Sequence, residues 1–170
     1  YGVAIQPTNP AVRDFAVQIA KSYPGAFDDP QGSRLPAEAG LHQAILIHSS
    51  ISSEWKYVSD PSLDWSLYVS PARRTLAVGL AGNCADFAVF VVSCIEAVGG
   101  RARIVHGFTS KAGHAWAELW LGEGQRAQSR IQEISSLAGR SPASIAIDKD
   151  EFGGQWLVLD WRLGEYTLKA

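Results

Sequence analysis

Three side chains of this 170-residue chain could together perform thiol chemistry: Cys84, His114 and Asp160. Cys84 follows Gly82-Asn83 at the start of a long apolar run, and Asn is a favoured helix N-cap. A thiol at a helix N-terminus faces free N–H groups and the positive end of the helix dipole, which favour the reactive thiolate. The backbone N–H of Cys84 could also donate to an oxyanion. His114 opens a strand just after a Gly turn, where an imidazole can meet the Cys helix and take the thiol proton. Asp160 is second to last in the apolar run Trp156-Leu157-Val158-Leu159-Asp160-Trp161. A carboxylate there is costly to bury without a partner. An imidazole N–H is the natural one, and it would fix the ring's tautomer and orientation. Each residue alone has a blander reading: a small residue in a turn, an ordinary edge-strand His, an Asp capping the turn before Gly164. Taken together, in that order, they describe a nucleophile, a base and an orienting carboxylate.

These residues need elements to hold them. The spacing predicts a helix over 10–23, with Pro10 in its first turn and Val12, Phe15, Ile19 and Ala20 on one face. Residues 23–36 read as loop. A second helix is expected over about 38–56, with Leu41, Ile45, His48 and Ile51 on one stripe. Residues 57–74 read as a shaped, irregular loop. The third helix runs from Cys84 to about Val98, has almost no polar face and is therefore a central one, ended by Gly99-Gly100. The period then changes to two. Strands are expected over 101–108, 114–121 and 155–161, with a turn at 111–113 and a further strand at 165–169. The polar stretch 122–154 is expected to be an insertion with a short helix at 128–137, forming one wall of a substrate cleft. Helices first and an antiparallel sheet afterwards indicate an α+β fold in a single domain over 1–170.

Composition sets the limits. Hydrophobic residues make up 46% and charged residues 19%, enough for a core and too few charges for a disordered chain. A net charge of −2 gives no basic field for nucleic acid, so no nucleic-acid partner is expected. The longest apolar runs are too short to span a bilayer, so no membrane insertion is expected. The chain starts at Tyr1 and contains no Met, as a trimmed or processed segment of a longer chain would, and localisation stays open. Two cysteines on one helix, about 15 Å of rise apart, cannot form a disulfide. Cys94 is expected to be a buried free thiol.

The segments Gly82-Asn83-Cys84-Ala85-Asp86-Phe87-Ala88, Gly113-His114-Ala115-Trp116-Ala117-Glu118 and Leu157-Val158-Leu159-Asp160-Trp161 resemble the three core motifs of bacterial transglutaminase-like domains, a papain-related superfamily of cysteine peptidases and acyltransferases. Gly99-Gly100-Arg101-Ala102-Arg103-Ile104-Val105 and Trp55-Lys56-Tyr57-Val58-Ser59-Asp60-Pro61 are similar to its flanking segments. The resemblance covers about 40–165. It implies a papain-like core, a central Cys helix packed on an antiparallel sheet that supplies His and Asp, and thiol acyl chemistry on a protein or peptide substrate without a cofactor. His114 follows Cys84 by about 30 residues, whereas papain-type enzymes place their His about 130–150 residues downstream. The insertion departs from the family, whose His and Asp strands lie close in sequence.

Within that class, hydrolysis of an amide through a thioester is the favoured reading, with amine transfer or deamidation as the alternative. A catalytically silent binding module, or an accessory domain of a larger chain, is the rival from another class. Papain-like enzymes supply a second oxyanion donor from ahead of the Cys, and Trp65, Tyr68 and Asn83 are the candidates by position. Asp86 reads as a dipole or loop anchor. His106 reads as a strand-face residue. His42 and His48, six residues apart, do not match a helical metal pair, and no metal site is expected. Trp116, Trp120, Trp156 and Trp161 are expected mostly in the core.

Overall fold

The computed structural model describes residues 1–23, 36–59, 68–108 and 113–161. In chain order the elements are α1 (Pro10–Ala20), α2 (Pro36–Glu54), β1 (Lys56–Tyr57), α3 (Ala72–Ala77), β2 (Ala81–Gly82), α4 (Cys84–Ala97), β3 (Ala102–Phe108), β4 (Gly113–Glu123), α5 (Gly124–Ala138), β5 (Ile147–Lys149) and β6 (Gly154–Leu159). A short 3₁₀ turn at Pro142–Ser144 precedes β5.

Everything is arranged around α4. Each residue from Ala85 to Ile95 is buried, as its apolar circumference requires. Asn83 starts the helix: its Oδ1 accepts from the backbone N–H groups of Ala85 and Asp86, while Asp86 Oδ2 accepts from Asn83 N–H, a capping box. Gly99, at φ +83°, supplies the left-handed residue that ends it. Fully burying side chains such as Phe87, Phe90 and Ile95 contributes about 1.5–3 kcal/mol each.

β3, β4, β6 and β5 form an antiparallel sheet in that spatial order. Alternation along the strands divides its faces. Ala117, Leu119, Leu121, Leu157 and Leu159 join the core cluster with α4. His114, Trp116, Glu118, Trp120 and Trp156 occupy alternate positions, on the other face. A second, two-stranded sheet pairs β1 with β2 in parallel, Tyr57 opposite Gly82, just ahead of α4. Leu80, at φ +57°, enters that pair in a conformation rare for a side chain with a Cβ, costing about 1–3 kcal/mol.

Several expectations change. Residues 57–74 are not wholly irregular: Tyr57 pairs with Gly82 and Ala72 starts α3. β6 ends at Leu159, so Asp160 lies just beyond the strand. Part of the 122–154 insertion is scaffold, while the start of β5 reaches along β6 towards Asp160. Ala127, Ile131 and Ile134 repeat at helical spacing along α5 and sit in the core, as does Ile145, and β5 completes the sheet edge. Both ends of the insertion stand where Glu123 pairs with Gly154, at the end of the sheet remote from His114. The four tryptophans divide evenly. Trp156 is buried and Trp161 packs against the core cluster, but Trp116 and Trp120 are half-buried on the sheet face turned away from α4. The expected loop at 24–35, the turn at 111–112 and the strand at 165–169 lie outside the described residues.

Candidate active site

β3 leaves the C-terminal end of α4 through Gly99-Gly100 and packs back along it. Fourteen residues of α4 rise about 21 Å and seven residues of β3 extend about 23 Å, so Phe108 returns to the level of Cys84. Gly113 pairs with Phe108, and His114 with Gly107. The start of β4 and the start of α4 therefore stand at one end of the molecule.

There the His114 Nε2–H donates to Asp160 Oδ2 at 2.6 Å. The imidazole is 32% exposed and the carboxylate 14%, a pair shielded from water yet reachable from it. With Nε2 committed to Asp160, Nδ1 is the ring nitrogen left for a thiol proton. The ring stacks on Trp116, centroids 5.8 Å apart. Trp116 Nε1–H in turn donates to Glu118, whose carboxylate, wholly buried, also accepts from Arg103. Burial raises the Glu118 pKa, while Trp116 and Arg103 pull it back down.

Two contacts tie Asp160 to the Cys84 segment. His48 lies edge-on to Phe87, in the first turn of α4, at 5.8 Å, and its Nε2 is 3.3 Å from the Asp160 carbonyl and from Ser52 Oγ. A carbonyl can only accept, so Nε2 carries the proton and Nδ1 is bare. Nδ1 has no hydrogen-bond partner among the described residues. Burial lowers the His48 pKa to about 4, although the Asp160 carbonyl and carboxylate act in the opposite direction. Separately, Trp161 stacks on Tyr57, centroids 4.8 Å apart, and Tyr57 pairs with Gly82, two residues before Cys84.

Cys84 is half-buried and free, while Cys94 is fully buried and burial pushes its thiol far up. Asp86 does what the sequence suggested: its Oδ1 accepts from Ser70 N–H at 2.7 Å, anchoring the preceding loop to the helix start. Among the oxyanion candidates, Asn83 has its oxygen engaged in the cap. Tyr68 is 55% exposed and its hydroxyl accepts from Arg74 Nη1. Trp65 lies outside the described residues. Among the described residues no group of three or more His, Cys, Asp and Glu could hold a metal, and no helix is long and apolar enough to cross a membrane.

Sequence reasoning missed two residues beside the site. His48 falls on the apolar stripe of α2, and a titratable group on such a stripe is the signal available. Tyr1 lies edge-on to His106 at 6.2 Å. Burial raises its phenol pKa, and the negative charges of Cys84 and Asp86 add to the rise.

A family model described as the transglutaminase-like superfamily matches residues 31–130. The chain belongs to that superfamily. Its members are in general cysteine-dependent hydrolases and acyltransferases. The matched span contains Cys84 and His114 and stops before Asp160, beyond the insertion. No curated protein and no solved structure matches the chain. The α+β architecture, with a central helix on an antiparallel sheet, is that of a transglutaminase-like fold.

Proposed function

We propose that this transglutaminase-like domain is a thiol-dependent amide hydrolase, a peptidase or amidase, with Cys84 as nucleophile, His114 as base and Asp160 as the orienting carboxylate. The observation that carries the reading is the 2.6 Å bond from His114 Nε2 to Asp160 Oδ2, at the end of the sheet where α4 begins with Cys84.

Cys84 Sγ forms a bond to the substrate carbonyl carbon and its proton passes to His114 Nδ1. The carbonyl π electrons move onto oxygen, towards the backbone N–H of Cys84; the next three N–H groups are engaged by Asn83. As the C–N bond breaks, His114 gives its proton to the leaving amine and a thioester remains. Water then attacks the thioester carbon, His114 takes a proton from it, and the thiolate leaves and is reprotonated. Asp160 holds the imidazole in one tautomer.

The test is cysteine labelling followed by mass spectrometry, in the wild type and in His114→Ala, with Cys94 as the buried internal reference. Cys84 is expected to react with iodoacetamide at neutral pH far faster than Cys94, and to slow markedly when His114 is removed. Equal rates at Cys84 in the two proteins would refute a working Cys–His pair and favour the silent binding module. With the pair established, a glutamine-containing peptide and a labelled amine separate the chemistries: ammonia release or cleavage without incorporation supports hydrolysis, and amine incorporation replaces it with transfer.

A further inference from the structure

A cavity of about 290 Å³ opens at the other end of the molecule, where α4 ends. Leu41 and Leu119 are its buried apolar lining, and the Gly99-Gly100 turn forms one side without side chains. Its charged groups are three arginines, Arg101, Arg126 and Arg130, and no carboxylate lines it among the described residues. Two acids on neighbouring elements are engaged elsewhere: Glu133 pairs with His42, and Asp148 faces Arg103 at 3.8 Å. Arg130 has one nitrogen on the Leu121 carbonyl. Arg101 rests over Trp120 at 4.7 Å, a contact that uses the guanidinium face and leaves its in-plane N–H groups open. No ion pair to Arg101 or Arg126 is present among the described residues. The positive charges of Arg101 and Arg126 around one hollow repel each other, and a bound anion would reverse that. The C-terminal dipole of α4 opposes an anion with about half a charge, against the whole charges of Arg101 and Arg126.

We infer that this cavity binds a small multivalent oxyanion, bearing phosphate or carboxylate groups, at a site separate from Cys84. Guanidinium forks match such groups by paired, charge-assisted hydrogen bonds. The volume is at the small end of ligand sites, which run from about 300 to 1,000 Å³, and suits an anion better than a peptide. Along α4 the cavity is about 20 Å from Cys84, too far to be part of the same substrate subsite.

The experiment is isothermal titration calorimetry of the whole chain with inorganic phosphate, pyrophosphate and citrate, each at one fixed ionic strength. Saturable binding of at least one of them to a single site is expected. Arg126→Gln, on an exposed position that leaves the fold intact, should weaken it by about tenfold or more, and Arg101→Gln likewise. Arg13→Gln, which removes an exposed arginine paired with Asp14 on α1, should leave it unchanged. Preference for the phosphates or for citrate then names the ligand's charged group. Absence of saturable binding to all three, indifference to both Arg126→Gln and Arg101→Gln, or equal weakening by Arg13→Gln would overturn the site.

Discussion

His48 should make the stability of this domain fall on mild acidification. Its ring is fully buried, and burial moves its pKa from 6.5 to about 4. A histidine whose folded pKa is depressed binds its proton more readily in the unfolded chain. Its stabilising contribution is therefore complete above the unfolded value, near pH 6.5, and is lost as pH falls through the folded value, near 4. The full difference is about 3 kcal/mol, of which about 2 kcal/mol is already gone at pH 5. The assay is urea unfolding across that range in the wild type and in His48→Leu, which fills a similar volume and does not titrate. Other acid-sensitive groups affect both proteins alike, so the stability difference between them isolates the ring. At neutral pH the variant loses the hydrogen bond to the Asp160 carbonyl. Towards pH 5 that deficit should shrink by about 2 kcal/mol, and it can change sign. A difference independent of pH would refute the reasoning. If His48→Leu fails to fold, His48→Gln gives the same comparison while keeping a donor for the carbonyl.

The helix start offers further tests. Asn83→Ala should cost about 1 kcal/mol in urea unfolding by removing the cap from α4. Asp86→Ala should cost more, since it strands the N–H groups of both Asn83 and Ser70, and partial proteolysis should show the loop before α3 loosened. Tyr68→Phe removes only the exposed contact with Arg74, so turnover should stay within twofold or so of wild type; a loss of about 10²–10³ would instead make Tyr68 an oxyanion donor. Glu118→Gln should be tolerated better than Glu118→Leu, because an amide oxygen can still accept from Trp116 and Arg103, and thermal unfolding of the two variants would show the order.

The parts of this fold that were legible in the sequence are those whose cause is local. α4 has no polar face and carries its own cap, so its position at the centre followed from its residues alone. β4 alternates cleanly, so His114 and Trp116 could be set on one face and Ala115 and Ala117 on the other. The meeting of His114 with Asp160 was legible only as a chemical need, since the spacing between them runs through an insertion. What could not be read arises between elements. β5 has only three residues and is a strand because the edge of β6 is there to pair with it. The stretch holding α5 reads as polar, and the few apolar residues that seat it, Ala127, Ile131 and Ile134, matter only because a core stands beside them. Alternation gave the face of Trp120 but not which face α4 would cover, and so its cation–π partner Arg101 was unforeseen.

Gly82 stands against Asp86 with no room to spare: a Cβ on it would come within 2.5 Å of Oδ2 and 2.6 Å of the Asp86 Cβ. The two positions are therefore not free to change independently as the sequence drifts. Any side chain at 82 requires a smaller residue at 86, yet a smaller residue at 86 releases Ser70 and opens the capping box before anything has been gained at 82. Every single-step path away from this pair crosses a less fit intermediate, so the two residues should be inherited as a unit. A homologue with a side chain at 82 should also carry a rebuilt anchor for the loop before α3.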